Sequence, residues 1–297
     1  PTVILETDKW RRDRGQACRI LYTAHDYQLV CPNHMLYLPE RGKICEDCLG
    51  GCFIKCIQNR CIHGSKARSI IGCAEATFWG WQRVYDKLDK IICCSEFMKR
   101  KLDTSPILHN KTVALHNFTA DVQPADVQKQ DYVLYFGRFS VEKGIATLLE
   151  ACRRLPEISF IFAGSGPLAD QLSKLPNVQN RGFCTGDKLK NLIAGARFTV
   201  YPSEWYENCP LSVMESIQYG TPVLGANMGG IPELITDGQN GELFESGNAA
   251  ALTDSIQNLW TDRARLAHYT EGCKQTAFDT VQQYTEKLLT YYRGNEG

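Results

Sequence analysis

The sequence predicts an α/β protein whose C-terminal half is built on a parallel sheet. Three observations carry this. From Tyr132 onward, short apolar runs alternate with amphipathic stretches, which implies right-handed crossovers between parallel strands. Gly or Pro follows several of the runs, where a strand would leave the sheet. The composition is that of an ordinary globular chain, with 43% hydrophobic and 22% charged among 297 residues, a length that favours about two domains.

The runs YVLYF, SFIFAG, VQNRGF, FTVYPS and PVLGA read as strands at 132–136, 159–164, 178–183, 198–203 and 222–226. Val141–Leu155 and Gly186–Ala196 read as helices between them, and Asp262–Tyr292 as a long helical tail. Ligands bind beyond the carboxyl ends of such strands, so the loops that follow them are expected to hold the site. Upstream, RILYTAHD (19–26) reads as a short buried strand ending in polar residues, and KIICC (90–94) as another. Ser95 is placed to cap a helix starting at Glu96. Cys31–Cys61 is rich in Cys and Gly without periodicity, as in a loop or small knuckle. The polar run NFTADVQPADVQKQD reads as a linker. The expected organisation is therefore a domain at 1–117, a linker at 118–131 and a domain at 132–297.

Lys+Arg and Asp+Glu both total 33, which argues against a dedicated nucleic-acid binder. No apolar run approaches the ~18 residues of a membrane span. The chain opens PTVILETDKWRRDRG, with charge where the apolar core of a leader would lie. It also opens without Met, as a processed or truncated chain would. Ten of the fourteen Cys lie between Cys18 and Cys94, and Cys152, Cys184, Cys209 and Cys273 are scattered. Isolated thiols in a regular α/β half point to a reducing cytoplasm, with the local cluster serving a metal.

Four stretches carry chemistry. In YFGRFSVEKG (135–144), Gly137 permits a tight turn, and Arg138 and Lys143 follow it at the sheet edge. A guanidinium grips oxygens bidentately and Lys acts as a point charge, a pairing that suits a diphosphate. In FAGSGPL (162–168), Gly164 and Gly166 let backbone approach a ligand, and Pro167 fits the first turn of a helix. Ala169 fills the third slot of GxGxxG, so no nicotinamide cofactor is read here. In PSEWYENCPLSVMESIQYGTPVLG (202–225), Pro210 fits helix position N1, and the amides of Cys209, Leu211 and Ser212 would face an anion. Glu207 precedes that helix and Glu215 lies one turn inside it; both are placed to accept from ribose or sugar hydroxyls. In GANMGGIPELITDGQNGELF (225–244), Gly229-Gly230 precedes a Pro232-initiated helix, and Gly238 and Gly241 mark the turn leaving it.

Together, and in this order, these stretches resemble the donor half of retaining nucleotide-sugar glycosyltransferases of the GT-B fold, family 4. The resemblance is dense over 132–245. It implies two Rossmann-like domains facing a cleft, the N-terminal one here shortened and carrying a Cys-rich insertion. It implies a nucleotide-diphosphate sugar as donor, with Arg138 and Lys143 binding the diphosphate and stabilising it as leaving group. Glu215 matches the residue that holds the ribose, and Glu207 the one that contacts the donor sugar. Asn208, Cys209, Leu211 and Ser212 match the phosphate and sugar cradle, with Gly137 and Gly164 beside it. Arg181 and Phe183 lie where the family lines the base pocket, and His25 matches a histidine that faces the sugar from the N-terminal domain. The implied reaction is front-face transfer with retention, without a protein nucleophile or a catalytic divalent metal. The acceptor would be a glycan, a lipid-linked glycan or a small molecule.

Cys31, Cys45, Cys48, Cys52, Cys56 and Cys61 fall within 31 residues, and Cys45-x2-Cys48 has the chelate spacing of a zinc knuckle. Some transferases similar to this one share HDY…CP…CxxC…C, which selects Cys31, Cys45, Cys48 and Cys61 as ligands of a structural zinc. An iron–sulfur cluster is the second reading, and free thiols or disulfides the third. Lys55, Arg60, Lys66 and Arg68, with Lys99, Arg100 and Lys101, make either a basic face toward anionic lipid at the inner membrane surface or ordinary solvated charge. The family's opening strand and its Gly-rich loop are not seen in the first 117 residues, as in a fragment or a reduced first domain. Two other functions use the same residues: a GT-B sugar-nucleotide epimerase or phosphorylase, and a nucleotide-binding scaffold without turnover.

Overall fold

The structure is a computed structural model that describes residues 1–15, 18–120 and 127–294. Contacts divide the chain into an N-terminal unit, Pro1–Phe118 with Asp279 onward, and a C-terminal unit, Thr119–Phe278. Part of the expected linker, 121–126, lies outside the described residues.

The N-terminal unit opens on α1 (Thr2–Arg14), then β1 (Leu21–Ala24), a small hairpin of β2 (Tyr37–Leu38) and β3 (Lys43–Ile44), α2 (Ile54–Asn59) and α3 (Lys66–Trp81). β4 (Lys90–Cys93), α4 (Glu96–Leu102) and β5 (Thr112–Ala114) follow. Its sheet is parallel, in the order β1-β4-β5. Arg11 of α1 reaches Asp89 at 2.8 Å, and Asp89 accepts from the Ile20 amide at 2.7 Å, which ties the helix to the start of both strands. Ser95 caps α4 as expected, accepting from the Met98 amide at 3.1 Å.

The C-terminal unit contains β6 (Val133–Arg138), α5 (Ile145–Arg154), β7 (Phe160–Ser165), α6 (Ala169–Leu172), β8 (Val178–Asn180) and α7 (Gly186–Gly195). It continues with β9 (Phe198–Tyr201), α8 (Leu211–Gln218), β10 (Val223–Ala226), β11 (Gly241–Phe244), α9 (Ala249–Thr261) and α10 (Arg263–Gln275). The last helix, α11 (Val281–Arg293), belongs to the N-terminal unit, where the Tyr284 ring lies 5.0 Å from Phe118. All six strands of the C-terminal unit are parallel, in the order β11-β10-β9-β6-β7-β8. Numbered within the unit and read from the β8 side, this is 3-2-1-4-5-6, the doubly wound order whose direction reverses between β6 and β9. The core lies on both sheet faces: β9 and β10 are buried throughout, and the Tyr135, Phe139 and Phe162 rings pack with centroids 5.5–6.1 Å apart. α5 buries Ile145, Leu148, Leu149 and Cys152, the i, i+3, i+4, i+7 face of an amphipathic helix.

The five expected strands form with shifted ends, and β8 stops at Asn180 because Arg181–Cys184 turns out of the sheet. β11 lies where a turn at Gly241 was expected; a Cβ at that position would lie 2.0 Å from the Val223 carbonyl, so only Gly lets the strand approach β10. The tail is not one helix but α10 and α11, separated at Thr276–Thr280 and restarted by a Thr280/Gln283 capping box. Pro210 sits at the N-cap rather than N1 of α8, and the Pro232 helix is a short 3-10 turn, Ile231–Glu233.

Candidate functional site

The reversal point between β6 and β9 is where the predicted residues gather. Val133 pairs with Phe198 and Leu134 with Thr199, so the loops leaving the two strands emerge side by side. They are joined by hydrogen bonds. The Glu204 amide donates to Glu142 O at 2.9 Å, and Thr147 Oγ1 donates to Glu204 Oε1 at 2.5 Å. Between them the chain passes Gly144 at φ 69°, where a Cβ would lie 1.9 Å from the Pro202 carbonyl. A side chain there would force the loops apart.

Lys143 and Glu207 meet across these loops. Lys143 Nζ lies 2.5 Å from Glu207 Oε1, with side chains only 20% and 7% exposed. The same oxygen accepts from Ser203 Oγ at 2.9 Å and Trp205 Nε1 at 2.7 Å. Lys143 also donates to Tyr201 Oη at 3.3 Å, and its ammonium lies over the Tyr201 and Trp205 rings at 5.6 and 5.4 Å. Two of its three N–H bonds are thereby used. Burial, and then Glu207, push the Tyr201 phenol well above its ordinary pKa, so it stays protonated. Gly230 N donates to Glu207 O at 2.7 Å. Gly229, at φ 63°, brings its Cα so close that a Cβ would lie 2.4 Å from that carbonyl. The Gly-Gly turn therefore fixes Glu207 from behind.

Arg138 differs from Lys143. It is exposed and its guanidinium makes no ion pair among the described residues. Its backbone is held by Tyr135, whose Oη donates to Arg138 O at 2.7 Å. Gly137, Arg138, Gly164 and Phe183 line one cavity of about 470 Å³ together with Gly166 and Leu189. Phe183 is 76% exposed. Arg181 points its guanidinium to Gln179 Oε1 at 3.0 Å, and its amide bonds Phe162 O.

α8 buries Val213, Met214, Ser216 and Ile217, leaving Leu211, Ser212 and Glu215 on the outer side. The Leu211 and Ser212 amides stand in the first turn, where no intrahelical acceptor exists. Cys209 is buried, with its thiol 3.7 Å from Met214 Sδ, and Asn208 is half-buried beside it. No protein donor among the described residues reaches the Glu215 carboxylate, and burial raises its pKa above the ordinary glutamate value.

His25 lies in the N-terminal unit, exposed just after β1. Its neighbour Asp26 pairs with His34 Nδ1 at 3.5 Å. That bond holds the Asp26 carboxyl below its usual range and raises the His34 pKa. In the same unit a cavity of about 350 Å³ is lined by Phe53, Trp79, Trp81, Tyr85, His34 and Glu75, among others.

The expected metal set is corrected by the structure. Cys31, Cys45, Cys48 and Cys61 do converge, with Cys56 as a fifth, around one small buried cavity, while Cys52 is exposed. Yet no three His, Cys, Asp or Glu among the described residues are arranged to hold a metal. Two of the sulfurs are hydrogen-bonded to asparagine side chains. Cys31 Sγ donates to Asn33 Oδ1 at 2.8 Å, Asn59 Nδ2 approaches Cys45 Sγ at 3.7 Å, and burial pushes the Cys48 thiol up to about 12. No disulfide joins any of the fourteen cysteines, all of which lie among the described residues. The structure supports neither the zinc nor the iron–sulfur reading.

Tyr201, Ser203, Trp205 and Tyr135 were not singled out in the sequence. Three of them lie in or beside the PSEWYEN run, where aromatic and hydroxyl residues flanking a buried Glu are the signal that pointed to them.

Among curated proteins, the sulfoquinovosyl transferase SQD2 of Arabidopsis thaliana is 36% identical over 138 residues, covering 44% of this chain and 27% of its own. An uncharacterized glycosyltransferase of Methanocaldococcus jannaschii is 25% identical over 204 residues, 67% of this chain and 57% of its own. The chain thus spans from about a quarter to somewhat over half the length of these relatives. Among solved structures, Anabaena HepE in complex with UDP-glucose superposes with a TM-score of 0.67 at 18% identity, covering 97% of this chain and 76% of that one. Sucrose-phosphate synthase from Thermosynechococcus elongatus gives 0.70 at 18%, covering 97% and 70%. The fold is that of the GT-B glycosyltransferases. The family model described as glycosyl transferases group 1 matches residues 118–276, more than half of the chain and every donor-side residue above, and the chain belongs to that family.

Proposed function

We propose that the chain transfers a sugar from a nucleoside diphosphate sugar to an acceptor hydroxyl, with retention at the anomeric carbon. The observation that carries this is the pairing of two unlike cations at the sheet's reversal point: an unpaired, exposed Arg138, and a Lys143 locked in place by Glu207. As the C1–O bond breaks, negative charge collects on the leaving diphosphate. Arg138 grips it bidentately, and Lys143 offers its remaining N–H from a fixed position. The Leu211 and Ser212 amides add the N-terminal end of α8. Glu215 accepts from the ribose hydroxyls. The acceptor oxygen bonds to C1 on the face the phosphate leaves, and its proton passes to the departing phosphate oxygen.

Glu207 Oε1 already accepts from three donors. Its role in this scheme is to position Lys143 rather than to attack the anomeric carbon. HepE has been solved with UDP and with UDP-glucose, which favours uridine as the base here. The aromatic cavity of the N-terminal unit suits an acceptor glycan: flat rings stack on sugar faces, while His34 and Glu75 bond hydroxyls.

Calorimetric titration with UDP, GDP and ADP tests the reading. UDP is expected to bind in the micromolar range, and Arg138→Ala to weaken it roughly 10- to 100-fold, the loss of one or two charge-assisted bonds. No nucleotide binding, or UDP binding unchanged by Arg138→Ala, would overturn it. The anomeric configuration of a transferred sugar, read by NMR, tests retention.

A further inference from the structure

α3 is amphipathic in the inverted sense. At about 100° per residue, Ala67, Ile70, Ile71, Ala74, Phe78 and Trp81 fall on one arc of about 100° along the helix, and all six are exposed. Ile71 is 68% and Trp81 75% exposed. The opposite side carries Ser69, fully buried, and Gly72, Ala76 and Trp79, which face the fold. Helices of soluble domains turn their apolar stripe inward, so a continuous outward stripe marks an interaction surface. Ile54 of α2, the helix packed on α3, adds a further exposed aliphatic.

The charge around the stripe identifies what covers it. The chain as a whole is neutral, yet residues 54–68 hold Lys55, Arg60, Lys66 and Arg68 and no carboxylate. None of these four makes an ion pair among the described residues. Lys66 and Arg68 border the arc on its two sides, and Glu75 is the single acid of α3. Lys99 and Lys101, by contrast, are engaged by Asp103 and Glu46 and contribute little to this face. An apolar arc ending in Phe78 and Trp81 and edged by unpaired cations has the layout of a helix lying in a lipid interface. Aromatics settle at headgroup depth and cations meet anionic phosphates.

We infer that α3 docks the N-terminal unit onto anionic phospholipid, with the Ile70–Ile71–Phe78–Trp81 stripe inserted at the acyl boundary. This surface shares only Trp81 with the aromatic cavity proposed for the acceptor, and its test requires no nucleotide.

The test is flotation of the full chain with vesicles of phosphatidylcholine alone and with about a third phosphatidylglycerol. The wild type is expected to float with the anionic vesicles, less so at high salt. The variant Ile71→Ser/Phe78→Ser/Trp81→Ser should lose roughly tenfold or more of the partitioning, and Lys66→Glu/Arg68→Glu should lose it selectively on anionic vesicles. Thermal melting by circular dichroism checks that both variants keep the fold. Failure of the wild type to float, or flotation unchanged in the stripe variant, would overturn the inference. So would self-association of the wild type without vesicles that the stripe variant abolishes, since that assigns the face to a second copy of the chain.

Discussion

The Lys143–Glu207 pair gives the sharpest test of how the site is built. Glu207→Ala leaves the ammonium 20% exposed between two aromatic rings with no anion beside it. Removing one partner of a buried ion pair costs about 3–5 kcal/mol. Ser203 Oγ and Trp205 Nε1 lose their common acceptor as well, at about 1 kcal/mol each where water does not replace it. Lys143→Met strands the carboxylate with two neutral donors and is expected to cost about 3 kcal/mol. In the double variant Lys143→Met/Glu207→Leu neither charge is left alone, so its loss should fall short of the sum of the singles by about 2 kcal/mol. Because the chain has two units, the readout is the urea dependence of hydrogen exchange at β6 and β9 amides, which reports the C-terminal unit by itself. Singles and double that add to within about 0.5 kcal/mol would refute a coupled pair.

Other outcomes follow from the same geometry. Burial raises the Glu215 pKa, so its ionisation opposes folding as pH rises through that value; Glu215→Gln should raise the melting temperature at pH 7 while weakening UDP binding roughly tenfold. In the wild type, UDP affinity should fall on acidification at a higher pH than an ordinary glutamate would give. Lys129, whose ammonium donates to Thr221 Oγ1 at 2.6 Å, is brought down to about 8 by desolvation. Between that value and the unfolded value of about 10.4 the unfolded chain binds more protons, so stability should rise over this window, and Lys129→Met should flatten the rise. Gly229→Ala places a methyl 2.4 Å from the Glu207 carbonyl at φ 63°. It should cost about 2 kcal/mol or more in unfolding experiments and lower UDP affinity along with it.

Local signals in the sequence carried the C-terminal sheet: apolar runs of strand length, several of them closed by Gly or Pro, place all of β6 to β10. They also put Arg138 at the end of β6 and Glu215 on α8, positions set by residues close in the chain. Glu207 was harder. Its partner Lys143 lies 64 residues away, and the two meet only because β6 and β9 are neighbours, a pairing that no local pattern encodes. A buried Glu was therefore expected to face a sugar, when its first partners are Lys143, Ser203 and Trp205. β11 was missed because Gly241 and Gly238 read as turn residues, although Gly241 is there for strand contact. The clustering of the cysteines was legible from spacing. Their chemistry was not, since spacing does not show that Asn33 and Asn59 supply partners for two of the thiols.

The return of α11 to the N-terminal unit has a consequence for how the chain is made. That unit is written in two instalments, with the entire C-terminal unit between them. On the ribosome, β6 to β11 and their helices emerge as one uninterrupted stretch. The sheet of β1, β4 and β5 precedes that stretch in the chain, and the helix grouped with it, α11, follows it. A stop after Phe278 would therefore leave the C-terminal unit whole and take its last helix, with the Phe118–Tyr284 contact, from a unit that lies on the other side of it in the chain.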